Sequence, residues 1–211
     1  RHTAETLAGR VAFHELEGVA LDELIADPAD VATLDDRWLR GGFPRALLAA
    51  SQKSSREWRE SFIRTYLERD LPQLGINLSA ITMRRFWTML AHYHGQTWNG
   101  SELGRSLGVS DKTAARWLDI LEGTYMAFRL LPWHANIGKR EVKAPKVYLA
   151  DSGILHTLLG MNGMDGLLAH PKCGASWEGF MIREILRHTG ARRDEAFFWG
   201  VHTGAELDLL I

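Results

Sequence analysis

The stretch NGSELGRSLGVSDKTAARWLDILE, residues 99–122, restricts the fold more than any other part of the chain. Its apolar residues recur at helical spacing in two short runs, and Gly108 stands in the break between them. Ser101 and Ser110 stand where helix N-caps are expected, because a serine hydroxyl accepts a hydrogen bond from a first-turn amide. The pattern predicts a helix-turn-helix. Its expected buried residues are Leu103, Leu107, Val109, Ala114, Trp117, Leu118 and Leu121.

Two apolar segments follow this motif and are predicted to be strands. They are YMAFRLLPW (125–133) and PKVYLAD (145–151), and the basic stretch HANIGKREVK (134–143) joins them. A further helix is predicted before the motif, over residues 81–94. One helix, a helix-turn-helix and a basic hairpin together predict a winged helix over residues 81–150.

Charge is concentrated in this winged-helix region. The whole chain has a net charge of -1, which argues against a general affinity for polyanions. Residues 81–146, however, carry ten Lys and Arg against five Asp and Glu. The predicted phosphate-contacting residues are Lys112, Arg116, Lys139, Arg140, Lys143 and Lys146. The alternative is a winged helix that packs only on other proteins, since Asp111 and Asp119 weaken the positive face of the second helix.

The N-terminal third is predicted to be largely helical. Val11, Phe13 and Leu16 indicate a short strand, and a helix is expected from about residue 20. Residues 54–69 predict an amphipathic helix, because Trp58 and Phe62 begin an apolar series at helical spacing.

Two carboxylates near the end of the chain are candidate metal ligands. Glu178 lies on the apolar flank of a predicted helix over residues 175–188, and Asp208 lies in a predicted strand that pairs with the preceding AFFWG segment. Carboxylate oxygens suit Mg²⁺, which activates water for phosphodiester cleavage. Glu206, on the same face of the strand, is a weaker candidate. The alternative is an exposed glutamate and a strand-edge aspartate paired with arginines.

Several classes of protein are disfavoured. The chain has one cysteine and no apolar run long enough to cross a membrane, which predicts a cytoplasmic protein without a disulfide. The segment GKR, residues 138–140, lacks the other residues of a phosphate-binding loop, so no cofactor is expected in this chain. The first residue is Arg1 and not Met, which suggests that the chain starts inside a longer protein.

Taken together, several segments resemble the C-terminal part of a prokaryotic ATPase family of the AAA superfamily, which carries an N-terminal P-loop domain and a C-terminal domain of unknown function. The resemblance covers essentially the whole chain. Its most specific segments are LERDLPQLG, LAHYHGQ, PKVYLADSG and GASWEGF with GAELDLL.

This resemblance implies a division of the chain. Residues 1–50 would be the last strand and lid of the ATPase domain, residues 51–80 a connecting helix and residues 151–211 a truncated nuclease-like domain of the P-D-(D/E)-x-K type. Gly41, Gly42 and Pro44 would lie near the nucleotide base, and ATP and Mg²⁺ would bind in the full-length parent. Glu178 and Asp208 match two nuclease positions. The third nuclease strand, with its lysine, is expected after Ile211, so cleavage by this chain alone is not expected.

The expected fold is therefore mixed α+β and mostly helical, with a winged helix-turn-helix followed by a truncated nuclease-like α/β domain. The favoured function is nucleic-acid association, coupled in the parent to its own N-terminal ATPase domain. A protein-interaction module and, in the full-length parent, a metal-dependent nuclease are the alternatives.

Overall fold

A computed structural model describes residues 16–24, 31–133, 144–200 and 205–211. The helices are α1 (Val31–Arg40), α2 (Pro44–Leu47), α3 (Gln52–Thr65), α4 (Leu71–Gln73), α5 (Ala80–His92), α6 (Gly100–Leu107), α7 (Asp111–Gly123), α8 (Ser152–Leu158), α9 (Gly163–Leu168) and α10 (Cys173–Thr189). The strands are β1 (Gln96–Thr97), β2 (Ala127–Pro132), β3 (Lys146–Leu149), β4 (Phe197–Gly200) and β5 (Glu206–Leu210). The predicted mixed, mostly helical class is confirmed.

Helix α3 is the predicted amphipathic helix, and it begins two residues before the predicted start and ends at Thr65. It begins after Ser51, whose hydroxyl accepts a hydrogen bond from the amide of Ser54 at 3.1 Å. The rings of Trp58 and Phe62 stack with centroids 5.3 Å apart. A π-helical turn then carries the helical backbone into α4, and Gly75, with φ +79°, follows its end.

Helices α6 and α7 form the predicted helix-turn-helix. Gly108 ends α6 with φ +72°, a left-handed conformation that glycine adopts without strain. The N-cap of α7 is Ser110, as predicted, whereas α6 is capped by Asn99 and not by Ser101. The predicted core is confirmed, fully for Leu103, Ala114, Trp117, Leu118 and Leu121 and in part for Leu107 and Val109.

A three-stranded sheet completes a winged helix. Strand β3 lies between β1 and β2 and is antiparallel to both, with Lys146 opposite Thr97 on one side and Leu130 on the other. The order α5, β1, α6, α7, β2, β3 and the antiparallel β2–β3 pair are those of a winged helix, which confirms this prediction. The loop that joins β2 to β3 lies outside the described residues, except at its two ends.

The sheet continues beyond the winged helix. Strand β4 pairs in parallel with β2, where Leu131 lies opposite Phe197, and β5 pairs antiparallel with β4. The order across the sheet is β1-β3-β2-β4-β5. Side chains of β2 and β3 pack with those of α10 and β4 in one apolar cluster. The boundary expected at residue 150 therefore divides elements that share one sheet and one core.

Helix α1 packs against the C-terminal half of the chain. Trp38 and Leu39 share an apolar cluster with Met161, Leu167 and Phe180. Residues that the resemblance assigned to an ATPase lid thus lie against α9 and α10. The strand predicted at Val11 and Phe13 lies outside the described residues, and Leu16, its predicted end, is 99% exposed and not in a strand.

Candidate nucleic-acid interface and carboxylate cluster

The exposed side of α7 carries two cations one helical turn apart. Lys112 and Arg116 are both exposed, whereas Ala114 and Leu118 face the core. Residues four apart lie on the same face of a helix, so the two charges are neighbours. Neither cation forms an ion pair with any other residue that the structure describes. This part of α7 therefore presents positive charge to solvent.

The acidic residues of α7 are largely engaged within the protein. Arg129, on β2, contacts Asp119 at 2.6 Å and Glu122 at 2.5 Å. Asp111 accepts a hydrogen bond from the backbone amide of Lys112 at 2.8 Å. The negative charge that favoured the protein-packing alternative is thus partly neutralised by an arginine of the adjacent strand.

The remaining predicted phosphate-contacting residues are placed differently. Lys139, Arg140 and Lys143 lie outside the described residues. Lys146 is the first residue of β3, and only 6% of it is exposed. This position corrects the prediction that Lys146 lies on an exposed, phosphate-contacting surface, because its amino group is enclosed by carboxylates of the same chain.

Three carboxylates, those of Glu178, Glu206 and Asp208, converge on the amino group of Lys146. We call this group of three acids around Lys146 the carboxylate cluster. The Nζ atom lies 3.0 Å from Oε1 of Glu178 and 3.2 Å from Oδ1 of Asp208, and it also contacts Oε1 of Glu206. Tyr148 donates its hydroxyl to the same Glu178 oxygen at 2.5 Å. Alternate residues of a strand share a face, so β3 contributes the lysine and the tyrosine while β5 contributes two of the acids.

Sequence reasoning had paired Glu178 with Asp208 but had missed Lys146 and Tyr148 as their partners. A signal was present in the sequence. A lysine and a tyrosine two residues apart in the otherwise apolar segment KVYL share one face of the strand, and a buried lysine needs a carboxylate partner.

The surroundings keep both β3 groups protonated. Burial lowers the pKa of the Lys146 ammonium, but its hydrogen bonds to Glu206 and Glu178 and the negative charge of Glu178 outweigh burial and raise the pKa. Burial raises the pKa of the Tyr148 hydroxyl, and the hydrogen bond to Glu178 raises it further. Lys146 is therefore a positive charge in the cluster, and Tyr148 is a neutral donor.

The carboxylate cluster does not fit the magnesium site that the nuclease resemblance implies. Mg²⁺ binds oxygen atoms octahedrally at about 2.0–2.1 Å. Here the oxygens of Glu178 and Asp208 are turned towards the Lys146 ammonium at hydrogen-bonding distances. Among the described residues, no group of three or more His, Cys, Asp or Glu side chains is arranged to hold a metal ion. We therefore derive no metal-dependent step for this site.

The Gly-Gly turn before α2 is held by contacts within the chain. The amide of Gly42 donates to Oδ2 of Asp151 at 2.7 Å, and its carbonyl accepts from the amide of Val19 at 2.8 Å. Gly41 has φ +83°, and a Cβ there would lie 2.2 Å from Asp151. Pro44 is in the first turn of α2. These contacts explain the glycines without a nucleotide, and the role of this turn in a parent ATPase stays a prediction.

Helix α10 also carries a buried ion-pair network. Glu184 accepts from Arg37 of α1 at 2.7 Å, and Arg183 contacts Glu17 at 2.6 Å. Burial raises the pKa of the Glu17 carboxyl, but the charges of Arg183 and Arg187 outweigh it, and the pKa is lowered. Helical periodicity alone places Arg183 and Glu184 on the side of α10 away from the apolar flank that carries Glu178. Both are buried, because α1 and residues 16–24 cover that side.

Two histidines among the residues that the structure describes are buried without charge. Nδ1 of His94 accepts from the amide of Leu149 at 2.9 Å, and burial lowers its pKa to about 3. Burial also lowers the pKa of His156 to about 4, and this ring lies between the carbonyl of Leu39 and the hydroxyl of Ser176. Both rings support packing and hydrogen bonding in the core.

Comparison with curated proteins finds two mycobacterial relatives. The chain is 46% identical over 208 residues to the uncharacterized protein Rv2008c of Mycobacterium tuberculosis and equally to the uncharacterized protein Mb2031c of Mycobacterium bovis. Each match covers 99% of this chain and 46% of the relative. The chain therefore spans less than half the length of the curated relatives that it matches.

Comparison with solved structures gives a weaker match. A crystal structure of the transcriptional regulator PA3341 is 23% identical, with a TM-score of 0.27, and the match covers 67% of this chain and 100% of that chain. A TM-score this low carries no argument, so the winged-helix assignment rests on the strand order and helix positions described above. No helix among the described residues is long and apolar enough to cross a membrane.

A protein-family comparison covers the region from the start of α1 to the first turn of α9. Residues 31–165, more than half of the chain, match the family described as Domain of unknown function (DUF8612). The chain belongs to this family.

Proposed function

We propose that this chain associates with nucleic acid through its winged helix, with Lys112 and Arg116 of α7 contacting the phosphate backbone. The observation that carries the proposal is the pair of exposed cations on one face of the second helix of a helix-turn-helix, with no ion-pair partner among the described residues. In helix-turn-helix proteins this second helix enters the major groove. Lys139, Arg140 and Lys143 are proposed to extend the contact from the loop between β2 and β3.

The contact is proposed to be with backbone more than with bases. The exposed side of α7 offers few long polar side chains besides these two cations, whereas base reading uses Arg, Asn or Gln aimed at base edges. Binding that depends on phosphate weakens steeply with salt, because condensed counterions are released from the nucleic acid. A cytoplasmic location is part of the same proposal.

The test is fluorescence anisotropy with a labelled DNA duplex over a series of salt concentrations. We expect Arg116→Glu to weaken binding about tenfold at low salt and to reduce the slope of log affinity against log salt by about one. Lys53→Glu is the matched control, since Lys53 is an exposed cation of α3 whose side chain is 82% exposed. Equal effects of the two reversals, or binding without salt dependence, would reject the proposal and favour the protein-interaction alternative.

The relation to P-loop ATPases is a further part of the proposal, and it is supported by the resemblance of the segments quoted above. In a protein where this chain follows such an ATPase domain, we propose that nucleotide binding alters DNA affinity through α3 and the π-helical turn after it. Anisotropy with and without a non-hydrolysable ATP analogue tests this. An affinity that does not change with the analogue would reject the coupling and leave DNA binding by this chain unaffected.

Cleavage of nucleic acid is not proposed for this chain. A metal nuclease needs Glu178 and Asp208 free to bind a cation, and both contact the Lys146 ammonium. In a longer protein that supplies the third nuclease strand, the alternative predicts Mg²⁺-dependent cleavage that Asp208→Ala abolishes.

A further inference from the structure

We propose that the Lys146 ammonium is a built-in cation that fills the carboxylate cluster in place of a divalent metal ion and ties β5 and α10 to β3. The proposal concerns the stability and metal affinity of the chain, and it is independent of nucleic-acid binding.

The position of the ammonium carries the proposal. One nitrogen atom contacts oxygens of Glu178, Glu206 and Asp208, which come from one helix and one strand. The Lys146 side chain is only 8% exposed, whereas the three carboxylates are 23%, 43% and 56% exposed. The cation therefore lies on the protein side of the cluster, and the acids close over it from the solvent side. A divalent ion bound by the same oxygens would lie within a few ångströms of a fixed positive charge, which repels it.

The backbone holds this cation in place. Lys146 is in the central strand of the winged-helix sheet. In the strand register it lies opposite Thr97 on one side and Leu130 on the other. Its Nζ lies 5.6 Å from the ring centroid of Phe198, which adds an apolar wall and a favourable cation–π contact. The ammonium cannot turn back into the protein without burying an unpaired charge.

The other charges around the cluster leave a second possibility, in which the carboxylates also bind a cation from solution. Three carboxylates outnumber the Lys146 ammonium, and Lys172 is a second cation that interacts electrostatically with Glu178. Glu206 and Asp208 are the two more exposed of these acids. Binding of a cation from solution by Glu206 and Asp208 is the competing outcome, and Asp208→Asn would abolish such binding.

The first measurement uses Mn²⁺ as a probe for Mg²⁺ on the 211-residue chain, with electron paramagnetic resonance of free Mn²⁺ as the readout. We expect the wild type and Asp208→Asn to leave the same amount of Mn²⁺ free. Lys146→Met is expected to bind Mn²⁺ about tenfold more tightly than the wild type, because three carboxylates are then left without their cation. That gain should disappear in Lys146→Met/Asp208→Asn. Wild-type binding that Asp208→Asn abolishes would overturn the proposal, as would a folded Lys146→Met variant with no gain.

A second measurement covers the case in which Lys146→Met does not fold. Glu178→Gln keeps the shape of the side chain but removes a charge that faces the buried ammonium, so we expect its melting temperature to fall. Glu57→Gln is the matched control, since this glutamate of α3 is 59% exposed and pairs only with Lys53 at 3.9 Å among the described residues. Equal melting temperatures for Glu178→Gln and the wild type would also overturn the proposal.

Discussion

The hydroxyl of Tyr148 lies 2.5 Å from Oε1 of Glu178, and this contact joins the central strand of the winged helix to α10. Tyr148 is fully buried and its ring stacks on Phe128, so the hydroxyl is the polar end of an otherwise apolar side chain. We expect Tyr148→Phe to lower the free energy of unfolding by about 1.5–3 kcal/mol, because a buried hydrogen bond to a charged acceptor is lost. Urea denaturation measures this.

Tyr125→Phe is the control for that change. Tyr125 is 56% exposed, and a phenylalanine keeps its ring contact with Arg193. We expect no change in the unfolding free energy of this control. A loss of the same size in both variants would show that the contact with Glu178 is not the cause.

Removing Arg129 should alter the charge of α7 without touching its exposed cations. Arg129→Met leaves Asp119 and Glu122 unpaired, so the negative charge on the helix is no longer neutralised. We expect weaker DNA binding by anisotropy at low salt, and recovery in Arg129→Met/Asp119→Asn/Glu122→Gln. A triple variant as weak as the single one would mean that Arg129 itself contacts the DNA.

The two buried histidines make the fold sensitive to acid. Their pKa values in the fold are about 3 for His94 and about 4 for His156, below the ordinary value of about 6.5. Below pH 6.5 the unfolded chain therefore binds protons on these rings that the folded chain does not. Above about pH 6.5 the two rings do not change the free energy of unfolding. As the pH falls below this value, the free energy of unfolding decreases by about 1.4 kcal/mol per pH unit for each ring, until the pH reaches the pKa of that ring in the fold.

Urea denaturation at several pH values tests this sensitivity. His94→Asn retains an acceptor near the amide of Leu149 but removes one titrating ring, so the slope of unfolding free energy against pH should decrease. His92→Asn is the matched control, because His92 is exposed, and its slope should match that of the wild type. An unchanged slope in His94→Asn would contradict the assignment of His94 as a neutral buried ring.

Close packing of α8 on the end of α1 gives a prediction about glycine. A Cβ on Gly153 would lie 2.0 Å from the carbonyl oxygen of Arg40. We expect Gly153→Ala to destabilise the fold by about 2 kcal/mol or more, since backbone must move. Gly174, in the first turn of α10, has no atom within 4 Å of such a Cβ. Gly174→Ala should be neutral or stabilising by up to about 1 kcal/mol. Thermal melts of both variants test this, and equal losses of stability would argue against the close approach of Gly153 to Arg40.

The sequence predicted those parts of the fold that depend on local pattern. The buried face of the helix-turn-helix, the Ser110 cap and the turn at Gly108 follow from helical spacing and backbone chemistry within about twenty residues. The Asn99 cap was missed because Asn99 and Ser101 are both good N-cap residues, and their order along the chain does not decide between them.

Long-range packing was beyond prediction from pattern. The helical period of α10 placed Arg183 and Glu184 away from its apolar flank, and only the covering by α1 and residues 16–24 makes both of them buried. Lys146 was predicted to contact phosphate because it is close in sequence to the basic residues of the loop between β2 and β3. Its burial depends on Glu178 and on β5, 32 and 62 residues further along the chain, so no local window contains the interaction.

The parallel pairing of β2 with β4 limits how far the winged helix can serve as a transferable module. Phe128 and Leu130 of β2 pack against Ile182, Leu186 and Phe198, which all come from the C-terminal part of the chain. Excision at residue 150 would strip one edge of β2 of its hydrogen-bond partner and expose this apolar face to water. The winged helix and the C-terminal β4–β5 pair are therefore expected to fold as one unit, whatever sequence surrounds them in longer proteins.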